Sequence, residues 1–256
     1  GFTYTPPSGY VGLSTANLPE PAIPLPEEHF IPVIWTGNST DNRVIPVGFA
    51  ADLTWFKQRT GTNSLGLFDT VRGNSNPNGL SSNSNSAEFD WTGVFKGHTS
   101  TGFTAGTSTA INANSNNYVA WNWKANGSGS TNTEGGIDCV LSANPTAGFS
   151  IATYNGNNTI GHGLGEIPEL IIGKLRTTND WIVYYNVVDG SSDYMRLNTT
   201  AAGATGGGTY TSSVASVQKS GSGVQYHFVS KPGFSKVGSY TGNGSADGPM
   251  VNTGFK

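Results

Sequence analysis

The chain has 256 residues, and only 11% of them are Asp, Glu, Lys or Arg, against roughly 25% in an ordinary globular domain. Its formal net charge of -3 comes without a basic block, which argues against a nucleic-acid partner, and no apolar run approaches the roughly 20 residues of a spanning helix, so no membrane insertion is expected. The single cysteine, Cys139, can close no internal disulfide, so stability has to come from packing, repeats or assembly.

Surface polarity falls to Asn, Ser, Thr and Gly, as in "GNSNPNGLSSNSNS", which suits a protein working outside a cell. From the N-terminus, "YTPPSGY" and "NLPEPAIPLPEEHFIP" set prolines close together, fixing φ and removing backbone donors. Residues 1–29 are therefore read as the end of a preceding module and a Pro-rich linker. A first β repeat is expected over residues 30–125, carried by "RVIPVGFAADLTWFKQR" and "NYVAWNWKA", runs with β-branched and aromatic enrichment and partial alternation. A Gly/Ser/Thr-rich linker follows over 126–147. A second β repeat over 148–234 is carried by "PELIIGKLR", "DWIVYY" and "VQYHFVS", and 235–256 reads as the start of a third. No window sustains a 3.6-residue apolar stripe, so long helices are not expected. The expected fold is all-β, with tandem antiparallel β-sandwich-like repeats joined by Gly/Ser/Pro-rich linkers.

The repeat emerges when the chain is slid against itself. A shift of 117 sets Asp52 on Glu169, Leu53 on Leu170, Lys57 on Lys174, Arg59 on Arg176, Phe68 on Tyr185, Gly73 on Gly190 and Leu80 on Leu197. A shift of 105 sets Trp121 and Trp123 on Tyr226 and Phe228, as shorter loops in the second copy require. Each copy opens on an aromatic residue and a short turn: Trp35 with "TGN", Tyr154 with "NGN" and Tyr240 with "TGN". The last match runs through Gly254 and Phe255, so the segment is expected to belong to a longer chain and to be stable chiefly within it or in an oligomer. Lys57/Arg59 and Lys174/Arg176 read as the solvent end of a strand.

Residues that could carry chemistry do not converge. His29, His98, His162 and His227 stand far apart and outside any metal-type spacing; the glycines around His162 in "IGHGLGE" serve a tight turn or a close ligand approach, with the turn favoured. Ser128 and Ser222 sit in Gly/Ser-rich sequence rather than at a strand-to-helix elbow. Glu27 and Glu28 lie in the Pro-rich stretch, Asp52 and Glu169 hold equivalent repeat positions, and Glu88 and Asp90 flank Phe89. Asp41 in "STDNR" and Asp247 in "GNGSADGP" offer calcium-type oxygens or ordinary turn bonds, with turns favoured. No catalytic residue, metal or cofactor is therefore expected. Trp91, Trp121 and Trp123 are the candidate ligand-binding residues. Trp91 is a loop aromatic available to a glycan. Trp121 and Trp123 share one strand face, where they stack on sugar rings or fill a core, and core is favoured because the second copy keeps aromatics there.

The strings "GFTYTPPSGYVGLSTANLP", "YTGNGSADGP", "NYVAWNWKA", "GHGLGEIPELIIGK" and "DWIVYY" together resemble a group of uncharacterised bacteriophage proteins, particularly of marine phages. There such repeats follow a SPRY-like, concanavalin-type sandwich. The resemblance covers nearly the whole chain and brings no catalytic residues. It implies a non-enzymatic structural or adhesive module of a fibre, tail or capsid decoration, located on the virion or extracellularly. Other virion proteins, further copies of the chain in a homo-oligomer, and a host-surface glycan are the partners it suggests. A lectin-like carbohydrate-binding module and a glycan-depolymerising tailspike enzyme are the alternative readings.

Overall fold

Alternating runs of bulky and polar residues become strands because side chains two apart share a face, and β-branched and aromatic groups fit a pleated, half-buried surface. β9 illustrates this: Tyr118, Ala120 and Asn122 are buried on one face, while Val119, Trp121 and Trp123 are half-buried on the other. The structure, a computed structural model, describes residues 22–63, 65–74, 78–217 and 219–254. Most of the first predicted linker and the last two residues of the predicted third repeat lie outside these.

In chain order the first half comprises β1 (Phe30–Thr36), β2 (Arg43–Pro46), β3 (Leu53–Gln58), β4 (Gly66–Asp69), β5 (Asn78–Ser81), β6 (Phe89–Asp90), β7 (Phe95–Thr99), β8 (Gly102–Ala105), the one-turn helix α1 (Thr109–Asn112) and β9 (Asn117–Trp123). Next come β10 (Ser130–Asn132) and β11 (Cys139–Asn144). The second half comprises β12 (Phe149–Gly156), β13 (Thr159–Gly161), β14 (Leu170–Leu175), β15 (Ile182–Tyr185), β16 (Asp193–Arg196), β17 (Ala204–Thr205), β18 (Val214–Ser216) and β19 (Gly221–Phe228). The fold is nearly all β and β-sandwich-like, with several antiparallel sheets. Among the described residues no helix is long and apolar enough to cross a membrane.

One sheet runs β1-β9-β3-β4-β5-β6 and is covered on one side by the smaller sheet β2-β8-β7; the other runs β10-β11-β12-β19-β14-β15-β16-β17 and carries the ribbon β13-β18. Three cores separate four layers. The first, between the six-stranded sheet and its cover, is a stack of rings: Phe56 on Phe68, Phe68 on Phe95 at 4.3 Å, and Phe95 on Phe103. The middle core joins the halves, setting Leu53, Leu67 and Leu80 against Phe149, Ile151, Trp181, Val224 and Tyr226. Trp181 Nε1 donates to the Ser81 carbonyl at 2.8 Å across it. The third, holding Cys139, Tyr154 and Ile160, lies under the β13-β18 ribbon. Positive-φ glycine is needed where β7 bulges: Gly97 has φ 128°, a Cβ there would lie 2.7 Å from the Asn74 carbonyl, and the Asn74 side chain bonds the His98 backbone in both directions.

Several sequence expectations change. Residues 126–147 are not a bare linker: they contain β10 and β11, which add to the edge of the second sheet through the Cys139–Tyr154 to Asn144–Phe149 register. Gly127 and Gly129 hold positive φ and turn the chain into that hairpin, so their Gly/Ser character serves a turn rather than a tether. The shift of 117 does place Leu53 and Leu170 at like register, opposite Trp123 and Phe228. It slips beyond β3, however, because the spacing between β14 and β15 is one residue shorter than that between β3 and β4. Phe68 faces Thr54 and Tyr184 faces Ile171, so the counterpart of Phe68 is Tyr184, not Tyr185. Likewise Leu80 corresponds to Met195, not Leu197.

Candidate ligand-binding surfaces

The three tryptophans singled out from sequence lie in three different environments. Trp91, between β6 and β7, is only 7% exposed and is wedged against Phe68 at 5.7 Å and Phe89 at 4.8 Å. It reaches this position because Gly79 lacks a Cβ, which would lie 2.8 Å from the indole. A loop aromatic open to a glycan was expected; the ring is a core plug.

Trp121 belongs to none of the buried cores. It sits in a row across three strands, Pro32 on β1, Trp121 on β9 and Trp55 on β3, with the two indoles edge-to-face at 6.2 Å. Trp55 is fixed by its Nε1, which donates to Ser82 Oγ at 3.1 Å. The next row is Ile34, Val119 and Lys57, and Ile34 is 71% exposed. The strip lies on the same sheet face as Leu53: Trp55 packs against the edge of the middle core, and Trp121 and Ile34 extend outward from it. Sequence reasoning missed Trp55, and no local signal marks its pairing with Trp121, since β3 and β9 are neighbours in the sheet but far apart in the chain.

Trp123 meets Phe30 at 4.9 Å and both Phe149 and Phe228 at 6.1 Å. It is part core and part wall of a half-open cavity of about 340 Å³ at the seam of the two sheets.

The acidic and basic residues have structural partners. Asp52 and Glu169, the repeated acid, each cap the chain just beyond the last strand of their half: Asp52 Oδ2 accepts from Ala125 N at 2.8 Å and Glu169 Oε2 from Ser230 N at 2.7 Å. Burial pushes the Asp52 carboxyl above its ordinary range, against these hydrogen bonds. Glu88 does not pair with Asp90. It accepts a fork from Arg176 (Nε 2.6 Å, Nη2 2.8 Å) and stands 3.5 Å from Arg72, while Asp90 accepts from Thr92 N in a turn. Arg72 donates to Asp69 at 2.6 Å, and the Tyr226 hydroxyl donates to the same oxygen at 2.7 Å. Burial works against the Arg72 charge, but Asp69 beside it prevails and its pKa is raised; burial likewise keeps the Tyr226 phenol protonated. The result is an ionic network buried at the seam. Lys174 is not at the solvent end of its strand: it is 1% exposed, its Nζ donates to the carbonyls of Leu175 and Thr177, and burial pushes its pKa down to about 8.

The histidines mark the outer layers. His98 on β7 contacts Thr54 Oγ1 of the sheet beneath at 3.1 Å, and burial lowers its pKa to about 4. The rings of His162 and His227 lie 5.6 Å apart at a tilt of 38°, and burial keeps both below the ordinary imidazole value. His227 Nδ1 meets Ser150 Oγ at 3.2 Å and its Nε2 meets Gln225 Oε1 at 3.1 Å. This has the outline of a nucleophile and base, yet all three are fully inaccessible, so the contact satisfies buried polar groups. Asp41 pairs with Lys96, and Asp247 lies in a turn where its backbone N–H donates to Ser245 Oγ. Among the described residues no three His, Cys, Asp or Glu side chains are grouped to hold a metal.

A family model described as a domain of unknown function, DUF7483, matches residues 25–256. Comparison with curated proteins and with solved structures gave no match.

Proposed function

The chain belongs to the DUF7483 family, and from that starting point we propose that it is a non-enzymatic structural and adhesive module of a phage virion, built as tandem β repeats and joined to other virion proteins and to further copies of itself. Like strand orders support the repeat reading: β1-β9-β3-β4-β5-β6 in one half corresponds to β12-β19-β14-β15-β16-β17 in the other. The observation that carries the adhesive reading is the open strip of Pro32, Ile34, Trp55 and Trp121. Buried carboxylates and histidines are committed to holding the layers together, whereas this strip offers flat apolar surface with few competing charges. Apolar surface of this kind, with exposed Pro32 and Ile34 beside half-buried indoles, suits a contact site.

A second reading, a carbohydrate-binding module, is favoured by the same two indoles, since an aromatic surface with the Ser82 hydroxyl beside it suits the apolar face of a sugar. Both readings make Trp121 an anchor. The full chain is tested for adsorption to host cells and on a glycan array beside Trp121→Ala, with loss of about 2 kcal/mol, or roughly thirtyfold in affinity, expected for an anchor residue. Host adsorption without glycan binding favours a protein receptor or virion partner. Unchanged adsorption in a folded Trp121→Ala protein refutes the role of the strip.

A further inference from the structure

We propose that the cavity at the seam is a binding site for a small amphipathic anion, with an apolar body of about two fused rings between the aromatic walls and its carboxylate or sulfonate at Lys236. The walls come from four strands that meet here: Phe30 of β1, Trp123 of β9, Phe149 of β12 and Phe228 of β19, with Leu170 beside them and Phe234 from the chain after β19. Pockets for small ligands span roughly 300–1,000 Å³ and are mostly apolar with few polar groups. At about 340 Å³ this one is more than twice the roughly 150 Å³ apolar cavity that takes up benzene. The cavity is half-open where both sheets meet, so its aromatic walls are reachable from solvent, as a ligand site requires.

The polar groups at the rim select the head group. His29 Nδ1 accepts from Asn144 Nδ2 at 2.9 Å, which leaves its Nε2–H as a donor, and the ring lies edge-on to Phe234 at 6.2 Å. Lys231 is neutralised by Glu166 at 2.5 Å. Lys236 lines the cavity, is exposed, and among the described residues enters no ion pair. One free cation above an aromatic pocket suits an anion with an apolar tail. A saccharide fits less well, because the ring walls offer too few donors and acceptors to replace its hydration.

The probe is 2-naphthoate, titrated into the full chain by calorimetry and saturation-transfer NMR, with 2-naphthylmethanol as the uncharged analogue. Micromolar binding of 2-naphthoate is expected, with the alcohol about fivefold weaker, the worth of one exposed ion pair. Lys236→Gln removes that difference. Leu170→Trp fills the cavity and lowers 2-naphthoate affinity more than tenfold. If Leu170→Trp does not fold, Lys236→Gln decides, since its side chain is exposed. No binding at about 1 mM, binding unchanged in a folded Leu170→Trp protein, Lys236→Gln leaving the anion preference intact, or displacement of 2-naphthoate by a short oligosaccharide would each overturn the proposal.

Discussion

Replacing Asp69 by Asn keeps the shape of the side chain and removes the charge that holds Arg72. In the native chain Asp69 Oδ2 receives Arg72 Nε at 2.6 Å and the Tyr226 hydroxyl at 2.7 Å, while Oδ1 receives the Arg72 backbone N–H at 2.8 Å. Both charged side chains are wholly inaccessible. An Asn there has one acceptor oxygen where three donors converge, and its amide faces one of them donor to donor. Removing one member of a buried ion pair costs about 3–5 kcal/mol. Arg72 keeps its bonds to the carbonyls of Asn78 and Leu67 and has Glu88 at 3.5 Å, so the lower end, about 3 kcal/mol, applies. That is a large share of the roughly 5–15 kcal/mol that holds a native protein together. In urea unfolding, with a slope of about 2–3 kcal/mol per molar, the midpoint falls by about 1–1.5 M. The double variant Asp69→Leu/Arg72→Met recovers part of the loss, since it removes the unpaired charge but leaves the Tyr226 hydroxyl and the residue-72 backbone N–H without their acceptor. A loss below about 1 kcal/mol for Asp69→Asn, or a double variant less stable than the single one, refutes the view that this carboxylate serves to neutralise Arg72.

His98 makes the first core acid-sensitive. Its folded pKa of about 4 lies below the ordinary 6.5, so between these values the unfolded chain binds more protons; the contribution is intact above pH 6.5 and is lost as pH falls toward 4. At about pH 4.5 the loss is about 2.5 kcal/mol. Urea midpoints near pH 7.5 and near pH 4.5 should therefore lie closer together for His98→Gln than for the parent, and an equal gap in both proteins counts against the assignment. Cys139, 4% exposed and pushed up to about 11 by burial, is expected to resist a thiol reagent in the folded chain and react at the unfolding rate. Rapid labelling of the native protein would show the site to be open.

Strands carrying dense aromatics were legible, and so was much of their equivalence. The pairs Leu53/Leu170 and Trp123/Phe228 follow from residue spacing alone, since register in a ladder is set by side-chain period. Phe68 and Leu80 fall on the wrong partners in a uniform shift because two successive turns are each one residue shorter in the second half, moving Phe68 by one position and Leu80 by two, and turn length does not show in alternation. The sharing of the middle core could not be read either. Leu53, Leu67 and Leu80 look the same whether their face meets a ribbon, another sheet or solvent, and only the three-dimensional stacking decides. Trp91 shows the converse: a loop position in the sequence does not mean an exposed side chain, because the missing Cβ of Gly79 opens a socket for it. A lysine near the end of a strand usually reaches solvent, but Lys174 is buried because two backbone carbonyls accept hydrogen bonds from its ammonium inside the fold.

The registers have a mechanical consequence. In each half the chain enters on one strand and leaves on its direct neighbour at the same end: Phe30 is opposite Trp123, and Phe149 is opposite Phe228. Antiparallel rungs run perpendicular to their strands, so tension drawn along the polypeptide peels β1 from β9 one rung at a time, instead of loading all rungs together in shear, whereas in the second half β10 and β11, which precede β12 and pair along its outer edge, are loaded first. Such a ladder yields at low force and closes again when the pull is released, with the aromatic cluster at its mouth as the first contact to part and the last to reform.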